Sequence, residues 1–129
     1  MAFPATYDFN YYRGDTYQFV IRPKNANNAT FPLDAYASGP LFTISNYRGP
    51  AKAGIDKLTV STNSGTTAEV DTLQDIVTCT ITPVGGNKLT AGVPYYYDVQ
   101  IKTTSGSVLT LITGTITVTD DVSDTQVVG

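Results

Sequence analysis

Between Tyr95 and Thr103 the chain alternates strictly, with Tyr95, Tyr97, Val99 and Ile101 on one side and Tyr96, Asp98, Gln100 and Lys102 on the other. A period of two places successive side chains on opposite faces of an extended strand, so this spacing predicts a half-buried strand. Tyr7, Phe9 and Tyr11 share a face in the first such segment, and Tyr17, Phe19 and Ile21 do so in the second, Thr16 to Arg22. Arg13-Gly14-Asp15 separates them as a turn. From Ile76 to Ile81 one face carries Val77, Cys79 and Ile81 and the other is lined with Thr, until Pro83 to Gly86 stops the pattern.

The rest of the chain reads less regularly. Pro23 and the run Lys24 to Asn28 open a loop reaching Pro32. Leu41 to Ser45 reads as a short strand after the bend Ser38-Gly39-Pro40, and Arg48 to Asp56, with no period, as a surface loop. Leu58 to Thr62 and Ala68 to Val70 flank Asn63-Ser64-Gly65-Thr66, which predicts a hairpin pairing the two. In Ser107 to Asp120 the apolar phase slips, which predicts a bulge or sharp bend at Gly114, with a change of partners or of sheets there. Residues 1–6 and 121–129 read as extended termini, the latter as a frayed end or a strand donated to a neighbour. Strands at this spacing, with no helical period, predict one all-β domain over residues 1–129, an antiparallel sandwich of immunoglobulin-like size with about seven or eight strands.

Composition agrees with that class. Among 129 residues there are 21 Thr, 12 Val, 9 Tyr and 8 Ile, types that suit a pleated surface. Leu, Ile, Val and Phe together supply 32 residues, enough apolar surface to bury a core. The net charge is −3 and the basic residues are scattered, which argues against nucleic acid as a partner. The start of the chain lacks the basic and apolar regions of a signal peptide, and no run of about 18 apolar residues occurs. Synthesis in the cytoplasm with no membrane span is the expectation.

Chemistry is sparse. His is absent, and Cys and Glu occur once each, which excludes a His-based catalytic triad and an intrachain disulfide and leaves no catalytic, cofactor or metal site to nominate. Cys79 lies on the apolar face of its strand with no His to activate it, so it reads as a small hydrophobe. Arg13-Gly14-Asp15 matches the cell-adhesion tripeptide, but between two strands the turn reading is favoured. Asn28-Ala29-Thr30 fits a glycosylation acceptor that needs a secretory route. Asp120, Asp121 and Asp124 lack the Gly turn and final Glu of a calcium loop, and read as solvated acids.

The excess of Tyr points to contact surfaces, since Tyr joins a large apolar area to a polar tip. Consecutive Tyr on a strand face opposite sides, so Tyr11-Tyr12 and Tyr95-Tyr96-Tyr97 must put some rings outside the core. The candidate protein-contact residues are Tyr11, Tyr12, Tyr47, Arg48 and Tyr96.

Several stretches resemble a family of bacteriophage virion proteins built on a small immunoglobulin-like sandwich, similar to the amino-terminal domain of siphophage baseplate upper proteins. Tyr12-Arg13-Gly14-Asp15-Thr16-Tyr17 resembles its opening aromatic-Arg-Gly-Asp-Thr element, and Phe31-Pro32-Leu33-Asp34-Ala35-Tyr36 its Pro-Leu-Thr-Gly-Tyr segment. Leu89 to Ile101, with Gly92 and Tyr95-Tyr96-Tyr97-Asp98-Val99, leading into Leu109 to Val118, with Thr110-Leu111-Ile112-Thr113-Gly114, resembles its Gly-Tyr-Tyr-Asp-Val and Thr-Leu-x-x-Gly-x-x-x-Val strands; here Val93-Pro94 stands between the Gly and the first Tyr. The resemblance implies a non-enzymatic virion protein, attached to capsid, neck or tail subunits as a decoration or assembly module, with self-association as a further expectation. Sheet edges and loops then supply the assembly surface, including by strand addition. The alternative expectation is a glycan- or receptor-binding module used in host adsorption, with outward Tyr rings stacking on sugars.

Overall fold

The computed structural model describes residues 5–24, 29, 31, 33, 36–49, 58–62 and 64–120. In chain order these form β1 (Ala5–Thr6), β2 (Phe9–Tyr12), β3 (Tyr17–Ile21), β4 (Tyr36–Ser45), β5 (Thr59–Val60), β6 (Thr66–Asp71), β7 (Ile76–Ile81), the single turn α1 (Pro83–Gly86), β8 (Pro94–Thr103) and β9 (Val108–Thr119). The architecture is all-β, in two sheets. The larger runs β1-β9-β8-β4-β5, with β2 also on β9, and the smaller runs β3-β7-β6.

The alternating segments behave as their period dictates. On β8, Tyr95, Tyr97, Val99 and Ile101 are buried, and on β7 Val77, Cys79 and Ile81 are sealed from solvent. The two inner faces meet through aromatic rings: Phe19 of β3 lies 5.4 Å from Phe42 of β4 and 5.9 Å from Tyr97 of β8, both edge-on. Edge-to-face contact sets the positive rim of one ring against the negative face of the next, which adds to the area that each buries.

Several expectations are corrected. The predicted hairpin between Leu58–Thr62 and Ala68–Val70 does not form. β5 pairs with β4 and β6 with β7, so the chain passes from one sheet to the other between them. The hairpin lies one step later, between β6 and β7, where the Asp71 carboxylate accepts from the backbone N–H of Leu73 at 2.9 Å and of Gln74 at 3.2 Å. Side-chain acceptance of this kind lets Asp close a turn on its own backbone. β4 begins at Tyr36, not Leu41, because register shifts between Tyr36 and Leu41 carry Gly39-Pro40 along β8. The sheets are not purely antiparallel, since β1 and β2 both run parallel to β9. Pro83 to Gly86, expected only to stop a strand, winds one helical turn capped by the Thr82 hydroxyl. Nine strand segments occur among the described residues. Asn28 and Thr30, most of the loop 48–56, residues 1–4 and the tail 121–129 lie outside them.

Gly114 was expected to bend its strand, yet β9 runs through it unbroken. The irregularity sits opposite Val99/Gln100, which pair with Ile112 and Thr110 and leave Leu111 as the extra residue. Leu111 and Ile112 are therefore both buried, and the inward phase shifts from odd to even numbers at that step. Gly114 serves a different need. A Cβ there would stand 1.9 Å from the Tyr7 carbonyl oxygen. That carbonyl turns inward to accept the Tyr97 hydroxyl proton. β1 and β2 hold one register on β9 across this interruption, where the Asp8 carboxylate accepts from Thr115 N–H at 2.8 Å.

Candidate functional site

The outward face of the larger sheet gathers polar and aromatic side chains around one shallow cleft. On β4, Phe42 and Ile44 point into the core, which turns Thr43 outward. On β8, Tyr95 and Tyr97 point in, which turns Tyr96 and Asp98 out. The pairing places Asp98 beside Thr43 on one flank and Thr113 of β9 on the other. Beyond β4 the chain bends through Asn46 to Gly49, held by the Asn46 carboxamide oxygen accepting from Leu58 N–H at 3.0 Å.

This bend sends Arg48 back across the sheet. Its guanidinium lies 5.0 Å from the centre of the Tyr96 ring. It also donates to Thr113 Oγ1 at 2.9 Å and to the Gly114 carbonyl at 3.4 Å. Thr113 in turn donates its hydroxyl proton to the Tyr97 carbonyl at 3.1 Å. A cation over an aromatic face is worth roughly 0.5–1 kcal/mol at exposed sites, so these contacts hold Arg48 more in place than they stabilise the fold.

The resulting cleft holds about 130 Å³, with Ser45, Tyr47, Arg48, Tyr96 and Asp98 among its walls. Asp98 is half-buried there. Burial pushes its carboxyl above the ordinary carboxylate range, and the nearby Arg48 charge offsets part of that shift. No protein donor reaches the carboxylate among the described hydrogen bonds, while other N–H groups of Arg48 remain available to a ligand. The cleft thus offers an acceptor, a fixed cation and aromatic walls in one small space.

The candidate contact residues divide. Tyr47, Arg48 and Tyr96 come together in this cleft. Tyr12 is 57% exposed at the end of β2, apart from them. Tyr11 is a correction: it is only 1% exposed, and its hydroxyl donates to the Asp15 carbonyl at 2.6 Å, so it is a core residue. Phe9 sets the inward phase of β2, and Tyr11 follows it by two. Asp98, Thr43 and Thr113 were not singled out from sequence. Their outward phase was legible, but the arrival of Arg48 from another loop was not.

The other motifs have plain places. Arg13 donates to the carbonyls of Leu89 at 2.8 Å and Asn87 at 3.0 Å, and Gly14 takes a positive φ of 85° in the turn. Arg13-Gly14-Asp15 thus ties the β2–β3 turn to the segment after α1. Cys79 is fully buried, and burial pushes its thiol up to about 12, so it stays protonated at neutral pH. Asp120 is exposed just past β9, and Asp121 and Asp124 lie outside the described residues. Among the described residues no helix is long and apolar enough to cross a membrane. No protein-family model matches the chain, and no curated protein matches it in sequence.

Proposed function

We propose that this chain is a non-enzymatic structural module of a bacteriophage virion, an immunoglobulin-like sandwich that attaches to capsid, neck or tail subunits through the outer face of its larger sheet. The strand orders support the fold part of this reading. β3-β7-β6 and β9-β8-β4-β5 correspond to the B-E-D and G-F-C-C′ orders of immunoglobulin-like domains. Tyr95, at the start of β8, accepts on its hydroxyl from the Thr90 N–H at 2.8 Å, in the manner of the tyrosine corner of such domains. Tyr97, two residues on, meets Phe19 and Phe42 where antibody domains place a disulfide and a Trp.

The observation that carries the contact role is the convergence of Tyr47, Arg48 and Tyr96 on one cleft. Tyr and Arg are enriched at the centres of protein interfaces, and here both are partly ordered before a partner arrives. The virion assignment rests on the resemblance of the Tyr12–Tyr17 and Gly92–Val118 stretches. The test is immunogold electron microscopy of intact particles of the encoding phage with an antibody to this chain. Label on head, neck or tail supports the reading, and unlabelled particles overturn it.

The unpartnered Asp98 carboxylate beside Arg48 favours one second reading, a sugar-binding module, because neighbouring hydroxyls of a sugar both donate and accept. Binding on a glycan array that disappears with Asp98→Asn supports it, and an array without hits removes it.

A further inference from the structure

The smaller sheet has two open edges. β3 pairs with β7 on one side only, and so does β6. β1 and β2, the strands that precede β3, are both committed to β9 in the other sheet. Among the described residues nothing pairs with the outer edge of β3 or with β6 beyond its first residue. An unpaired edge presents a row of backbone N–H and C=O groups that is ready to template another strand.

The two edges differ in charge. Arg22, exposed just past β3, and Glu69, exposed on β6, have no ionic or hydrogen-bonded partner among the described contacts. Asp71 adds a second negative charge at the end of β6. Exposed apolar groups accompany both edges: Val20 of β3 is 44% exposed, and Leu73, in the turn after β6, is 95% exposed.

We propose that the smaller sheet continues from one copy of this chain to the next, β6 of one copy pairing in parallel with β3 of its neighbour. Both strands run antiparallel to β7, so they share a direction, and copies related by a simple shift along the sheet bring β6 beside β3 in parallel. With Tyr17 set beside Thr66, the segments 17–22 and 66–71 overlap completely. The inward Tyr17, Phe19 and Ile21 then fall beside the inward Thr66, Ala68 and Val70, which keeps core positions with core positions. Arg22 lies beside Asp71 and diagonal to Glu69, within reach of a long side chain. Joining β3 to β3 or β6 to β6 would forgo this complementarity. A head-to-tail contact of this kind closes into a ring or extends as a filament. The proposal stands apart from the virion reading, because it rests on the edges alone.

Sedimentation velocity of the full chain over a concentration series tests it, with Arg22→Glu, Glu69→Arg and the double exchange beside the wild type. The expected result is mass-growing association in the wild type that weakens as salt rises. Arg22→Glu, which sets two carboxylates side by side, loses it, and Glu69→Arg weakens it. The double variant, which restores an opposite-charge pair on the diagonal but leaves Asp71 beside the new carboxylate, regains part of what Arg22→Glu loses. Melting curves keep the comparison to folded protein, and the salt series on the wild type stands even if a variant fails to fold. A wild type that stays monomeric throughout, or an association indifferent to salt and to all three variants, overturns the proposal.

Discussion

Tyr96 and Tyr97 are chemically identical neighbours on β8, and the fold gives them opposite surroundings. Tyr97 faces inward, where Phe9, Phe19 and Phe42 surround its ring at centroid distances of 5.3, 5.9 and 5.8 Å. Its hydroxyl is spent on the Tyr7 carbonyl, which binds the first strand to the core. Tyr96 faces outward, with Arg48 over its ring and the Asp98 cleft beside it. A shift of one position along a strand changes the face. The inner Tyr therefore acts on stability, while the outer one stands on the face that the proposed contact would use.

The largest effect expected from breaking this contrast is Tyr97→Ala. It should cost about 3–5 kcal/mol in denaturant unfolding, as for other large aromatic truncations, while Tyr96→Ala should stay within about 1 kcal/mol of wild type. Gly114→Ala comes next, at about 2–3 kcal/mol, because its Cβ would meet the Tyr7 carbonyl at 1.9 Å and push the first strand off β9. Faster hydrogen exchange in residues 5–12 would locate the damage there. Tyr97→Phe keeps the rings but strands the Tyr7 carbonyl, at a cost of about 1–3 kcal/mol in the same unfolding measurement.

Alkali sharpens the contrast without mutation. Burial and the Tyr7 hydroxyl push Tyr17 up to about 12. Its folded value lies above the unfolded value of roughly 10, so the linked stability is complete below that pH and is lost as pH rises through about 12. Phenolate absorbance should show Tyr17 titrating late, together with the onset of unfolding. The smallest expected effect is at Asp98. Its raised pKa means that the ionised form costs stability, so Asp98→Asn should slightly raise the melting temperature at neutral pH. That gain should fade as pH falls through the raised folded value of Asp98 and be gone below the ordinary carboxylate value of about 3.9.

The strands with a local period were legible because the period is a property of neighbouring residues. Val77, Cys79 and Ile81, like Tyr95 to Ile101, took the faces that their spacing assigned. The separation of β5 and β6 into different sheets was not legible, because Thr59–Val60 pairs back to β4 and Thr66–Asp71 forward to β7, and local alternation does not encode which neighbouring strand a segment takes. The bulge carries its own signal, three residues before Gly114. Leu111-Ile112, two adjacent apolar residues between alternating Thr, marks the phase change, whereas Gly114 marks a close backbone approach. At the candidate site the outward Tyr96 followed from alternation, but the meeting of Arg48 with Thr113 joins residues 65 apart in sequence, which no local pattern encodes.

The most direct test of the contact role is hydroxyl-radical footprinting read by mass spectrometry, comparing the isolated chain with the same chain in purified virions. The account predicts that Tyr96 and Tyr47 are labelled in the free protein and protected in the particle, while Tyr97 is protected in both. Equal labelling of Tyr96 and Tyr47 in the two states, or particles that lack the chain, would contradict it.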